Sequence, residues 1–151
     1  RTRTGMNSFL NWLSSNTCEA IAETEVIPYP TESLKLLKKE PDFIIERGKE
    51  VFYELLMEIK PRLIILHGKR TVEYFDEILT ERGAIPSKSI CLDRTIEDIE
   101  KQLPLYRFKY QNGKIASIMA CRHFMYYGMK GESFKSFREN ILKVLKDNIH
   151  Q

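Results

Sequence analysis

The hydrophobic positions follow two periods. Met6, Phe9, Leu10 and Leu13 recur at helical spacing, which predicts an amphipathic helix over Met6 to Leu13 ended by Ser14-Ser15-Asn16. Ile45, Phe52, Leu55, Leu56 and Ile59 form a second helical stripe, with Glu46, Lys49, Glu50 and Glu58 mostly opposite, so Phe43 to Ile59 reads as a helix with Asp42 as its candidate cap. Val72, Phe75, Ile78 and Leu79 predict a third helix over Lys69 to Leu79. Between these two helices lies Leu63-Ile64-Ile65-Leu66, bounded by Pro61 and Gly68. A short run that is apolar on both faces suits a strand in the middle of a helix-covered sheet, and the chain reads as built around it.

The rest adds strands and helices around that unit. Ile21, Val26 and Ile27 suit a strand stopped by Pro28 and Pro30, and Thr31 to Asp42 is a polar connection carrying Lys35, Lys38 and Lys39. Arg82-Gly83 marks a break, and a short strand is expected around Ser89 to Leu92. Asp93 or Thr95 is placed to cap a short helix through Leu103, with Ile96, Ile99 and Leu103 inward. Tyr106, Phe108 and Tyr110 alternate before Gln111-Asn112-Gly113, and Ile115 to Ala120 returns, which predicts a hairpin. Ser133 is the expected cap of a last helix with Phe134, Phe137, Ile141, Leu142 and Leu145 inward and Lys135, Arg138, Lys143 and Lys146 outward. Helix, strand, glycine turn and helix in this order give an α/β class, a three-layer α/β/α sandwich with a mainly parallel sheet. The basic opening, Arg1 to Gly5, is expected to be poorly tied down.

Composition narrows the class. The 151 residues predict a single domain; 42% are hydrophobic and 30% charged, which excludes a disordered chain. No apolar run reaches the roughly 20 residues needed to span a bilayer, so no membrane association is expected. Three dispersed cysteines, Cys18, Cys91 and Cys121, fit a reducing cytoplasm and neither a disulfide framework nor a zinc site. No metal or cofactor is called for. The net charge of +3 permits nucleic-acid binding without requiring it. The chain opens on Arg1, which is expected of a fragment or processed piece.

Candidate chemistry collects where strands end, because ligands of α/β domains sit at the carboxyl ends of strands. After the apolar run come His67, Gly68, Lys69 and Arg70. After the returning strand come Cys121, Arg122, His123 and Phe124, then Met125, Tyr126, Tyr127, Gly128, Met129 and Lys130. Glu25 lies within or beside the first strand. The simpler reading of each basic residue is a solvated face, and of each aromatic a core position.

Thr24-Glu25-Val26-Ile27-Pro28-Tyr29-Pro30, then a helix, then Lys60-Pro61-Arg62 leading into an apolar strand ending at Gly68, then a histidine directly after a strand, is a pattern that resembles the uracil-DNA glycosylase superfamily. The resemblance implies a DNA partner and hydrolysis of an N-glycosidic bond, with His123 and Glu25 catalytic. It implies nucleic-acid contacts from His67, Lys69, Arg70, Arg122, Tyr126, Tyr127 and Lys130. Glu25 stands where that family has a base-reading Asn, and Phe124 and Met125 stand where it has Pro and Ser. The family's first motif would fall upstream of Arg1, so the chain by itself is expected to excise little or no uracil. The competing reading is a non-catalytic module of the same fold that binds a nucleotide, nucleic acid or protein.

Overall fold

The computed structural model describes residues 2–17, 20–22, 42–85 and 94–148. The expected strand at Val26-Ile27, the Lys35–Lys39 segment and the short strand near Ser89 lie outside the described residues, as do Glu25, Cys18 and Cys91. The chain divides into two compact units, one of Arg1–Ile21 with Pro61–Gln151, the other of Ala22–Lys60.

In the second unit, helix α2 (Asp42–Ile59) spans the predicted range. Phe52 and Leu56 are buried as the stripe requires, whereas Leu55 and Ile59 are exposed. Lys49, expected on the polar face, is instead buried, with its ammonium 3.2 Å from Glu46 one turn back.

Among the described residues the first unit is organised on a three-stranded sheet in the order β1-β3-β2, built from β1 (Leu63–His67), β2 (Tyr106–Lys109) and β3 (Ile115–Cys121). β1 and β3 run parallel with Leu63 opposite Ser117 and His67 opposite Cys121, while β2 is antiparallel to β3. The class is α/β, with one parallel and one antiparallel pair among the described residues. The predicted hairpin is present. Gly113 turns it at φ 90° and the Asn112 side chain accepts from the Lys114 N–H at 3.0 Å. Tyr110 then ties the hairpin to the entry of β1, donating its hydroxyl to the Pro61 carbonyl at 2.7 Å; burial pushes that phenol well above its usual range.

The middle of this sheet is β3. Ala116 to Cys121 are all buried, whereas in β1 only Leu66 is fully so. The apolar run that dominated the sequence pattern is therefore the half-buried neighbour of a less hydrophobic strand containing Ser117. Alternation along the strands separates two faces. Met119 and Cys121, with Leu63 and Ile65 against them, join Phe9, Leu13, Phe124, Phe134, Phe137, Ile141 and Val144 in one cluster. Tyr106 sits opposite Ile118, so it shares the other face, and its hydroxyl donates to Asp76 at 2.7 Å. Asp76 belongs to α3 (Lys69–Glu81), whose Val72, Phe75, Ile78 and Leu79 are buried as predicted.

The helix ends depart further from the pattern. α1 runs over Thr2–Asn16, so the basic opening segment is helical and not loose. Two bonds from the Arg3 guanidinium to Asn7 Oδ1, at 3.0 and 2.8 Å, span its first turn. α4 (Ile96–Glu100) is capped by Thr95, which accepts from the Asp98 N–H, but stops before Leu103, which is 42% exposed. Ser133 does not cap the last helix: it lies within a 3₁₀ turn, Glu132–Phe134, that precedes α5 (Lys135–Asn148). On α5 the inward residue is Val144, not the exposed Leu142.

α1 is seated on the turn that follows β3. Gly5 is buried there, and a Cβ at its position would lie 1.9 Å from the Phe124 carbonyl oxygen. Gly5→Ala would gain about 1 kcal/mol of helix propensity. Against that, overpacking a backbone contact costs about 1–3 kcal/mol. The variant is expected to unfold at lower urea concentration, with a net loss of up to about 2 kcal/mol, whereas Asn11→Ala on the exposed face should change stability by less than about 0.5 kcal/mol.

Candidate functional site at the ends of the parallel strands

Adjacent parallel strands finish at the same sheet edge, and here the two endings carry His67 and His123. The ladder continues one rung past the strands, with the Gly68 N–H donating to the Cys121 carbonyl at 2.8 Å. Gly68 has φ +92°, a conformation that side-chain-bearing residues rarely adopt, and a Cβ there would lie 3.4 Å from the His123 ring. It is also the N-cap of α3 and supplies no side-chain cap.

The rings meet directly. His67 and His123 lie edge to face with centroids 4.7 Å apart, and His67 stacks on Phe124 at 4.6 Å. Phe124 in turn stacks on Phe9 of α1 at 4.5 Å, so the histidine pair is continuous with the aromatic core.

Backbone donors orient both imidazoles. The Met125 N–H donates to His123 Nδ1 at 3.1 Å, and the Phe124 N–H to His67 Nδ1 at a longer 3.4 Å. A ring nitrogen that accepts from an N–H carries no proton, so a neutral His123 carries its own on Nε2. Burial lowers the His123 pKa, which favours that neutral form. The site thus holds an uncharged imidazole able to donate from Nε2.

The other sequence candidates separate. Arg122 turns inward. Its Nε lies 3.1 and 3.2 Å from the two oxygens of Glu100, its Nη2 donates to the Ser133 carbonyl at 2.6 Å, and its guanidinium sits 4.4 Å over Phe134. A phosphate at Arg122 would have to compete with that pair. Tyr127 is corrected more firmly. It is 3% exposed, packed against Phe9, Phe124 and Phe134, and offers no face for stacking. Tyr126 is 55% exposed and keeps its candidacy. Lys130 is exposed too, while Arg70 is exposed beside Glu73 at 3.4 Å, a surface pair of little energetic weight. Lys69 opens α3 next to Gly68 and is half-buried.

No family model, curated protein or solved structure matches this chain. Chemical meaning therefore rests on the site's own geometry.

Three participants were given no role from the sequence, although Phe124 and Met129 lie in the candidate segment. Phe124 links the two histidines to the core, Glu100 holds Arg122, and Met129, 82% exposed, stands at the tip of the segment after His123. An open depression of about 400 Å³ runs along Tyr127 to Ser133 beside that tip. The signal for Phe124 was its place directly after His123; Glu100, 22 residues upstream of its partner, had none. Cys121 is fully buried, and its thiol pKa is pushed up by desolvation and then by the Glu100 carboxylate, which disfavours the thiolate. Among the described residues no group of His, Cys, Asp and Glu could hold a metal, and no helix is long and apolar enough to cross a membrane.

The lowered His123 pKa fixes a pH dependence. The unfolded chain, with its histidine near 6.5, binds more protons than the folded one at and below that value. The contribution of neutral His123 is therefore fully present above about pH 6.5 and declines as pH falls toward the lower folded value. Urea midpoints measured from pH 8 to pH 5 should fall below about pH 6.5, and His123→Gln should flatten that fall.

Proposed function

We propose that the chain is a diverged uracil-DNA glycosylase-like domain whose strand-end site takes a nucleobase, with His123 donating to the base as its N-glycosidic bond breaks. The observation that supports this reading is the His123 ring at the shared ends of two parallel strands, its Nδ1 accepting from a backbone N–H so that Nε2 carries the proton, with burial lowering its pKa. In the hydrolysis the bond's electron pair leaves with the base, and a fixed donor at the base oxygen stabilises that charge. A neutral imidazole suits the task, since it donates without first losing a proton to solvent. Water completes the reaction at the sugar carbon. Glu25, outside the described residues, is the carboxylate offered by the sequence to activate that water.

The exposed Tyr126 and Met129 supply apolar surface beside the site for a flanking base, and Lys130 a charge for the backbone. On this reading the sheet is the middle of a three-layer sandwich. The Tyr106–Asp76 bond on one face and the aromatic cluster on the other support it. The same exposed tip favours a second reading, a module that binds unpaired nucleic acid without cutting it.

The test uses the purified chain with uracil-containing single- and double-stranded oligonucleotides, followed by alkaline cleavage of abasic sites. Slow single-turnover excision is expected, falling a further ~10²–10³-fold in His123→Ala. Salt-sensitive retention of the oligonucleotide with no cleavage at uracil would select the binding module. Absence of both would refute the proposal.

A further inference from the structure

The segment from Arg122 to Ser133 leaves β3, carries His123 and the exposed tip, and returns to α5. A single side chain closes it at the base. Arg122 reaches back to Glu100 at the end of α4 and across to the Ser133 carbonyl, while its main-chain N–H donates to Glu100 Oε1 at 3.0 Å. Glu100 thus takes both the backbone and the guanidinium of the residue directly before His123. The pair is largely shielded, with 23% and 14% side-chain exposure, where ion pairs are screened less than at the surface. A second arginine holds the far side of the segment: Arg138 donates to the Lys130 carbonyl and to the Tyr127 hydroxyl, both at 3.3 Å.

We infer that Glu100 is a positioning residue for His123, acting through the Arg122 backbone and guanidinium. Cys121 is fixed by the sheet and the Gly68 N–H, Arg122 by Glu100, and His123 by the Met125 N–H on its ring. These are three consecutive residues, each held at its own place. Removing the middle anchor leaves a half-buried N–H and a guanidinium seeking other partners, and the next peptide is free to rotate. The His123 ring then loses the orientation that the Met125 bond requires. Glu100 contributes no contact to His123 itself, so its influence is geometric.

The inference rests on the proposed site but is tested apart from it, by NMR on the full chain. The readouts are the ¹⁵N shifts of the His123 ring, which report its tautomer, and hydrogen exchange of the Met125 amide. Glu100→Ala should mix the tautomers and speed Met125 exchange about tenfold, the scale of one lost hydrogen bond. Glu100→Gln, which keeps an acceptor but not the paired charge, should fall between and serves as the readout if the alanine variant does not fold. Tyr106→Phe is the control: it removes the bond to buried Asp76 on the other face and lowers stability without touching the segment, so it should leave both readouts at their wild-type values. If Glu100 variants that remain folded show wild-type tautomer and exchange, or if Tyr106→Phe shifts both equally, the positioning role is refuted. Excision rates measured in parallel should fall with the tautomer change. A chain with no excision, but with the expected NMR response, would refute the glycosylase reading and leave the positioning role standing.

Discussion

The Gly68 N–H donates to the Cys121 carbonyl at 2.8 Å, and that rung carries the parallel pairing of β1 and β3 one residue past the end of β1. Much of what is distinctive in the molecule depends on it. A parallel pair requires a long crossover, supplied here by α3, α4 and the hairpin, and returns the chain to the same edge of the sheet. That edge is where His67 and His123 become neighbours although 56 residues separate them in the chain. A glycine is needed at the rung because the backbone turns there at a positive φ, and because the His123 ring lies against it.

The aromatic core stiffens what the pairing brings together. Phe9, Phe124 and His67 stack in succession, so α1 is mechanically coupled to the site through ring contacts, and the Gly5 contact with the Phe124 carbonyl sets their separation. A buried polar network sits alongside. Glu100 and Arg122 satisfy each other and the backbone at the base of the following segment, away from the imidazoles. Apolar packing sets the position of the segment and charged hydrogen bonds hold its base.

Much of the unit around the sheet was legible in the sequence, since three of its helices, the Asn112-Gly113 hairpin and both strand ends follow from local periodicity and turn chemistry. Hydrophobicity was a poor guide to burial along the strands: Leu63 to Leu66 is the most apolar run and was read as the centre, yet among the described residues the strand paired on both sides is β3, despite Ser117 and two alanines. Of the candidate site residues, His67 and His123 were correctly brought together because parallel strands share an edge. Tyr127 was misjudged because its burial depends on Phe9, remote in sequence, as well as on Phe134. The internal partner of Arg122, Glu100, was hidden for the same reason. A residue's own type does not show whether a distant carboxylate or ring has already claimed it.

The central claim is the juxtaposition of the two histidines at the ends of β1 and β3. It is tested most directly by NOE spectroscopy on protein with labelled histidine and phenylalanine rings. With His67 and His123 centroids 4.7 Å apart and His67 stacked 4.6 Å from Phe124, cross-peaks are expected between the ring protons of all three residues, of strength similar to the Phe9–Phe124 pair at 4.5 Å. A spectrum with the Phe9–Phe124 peak present and no peak from His67 to either His123 or Phe124 would contradict the account.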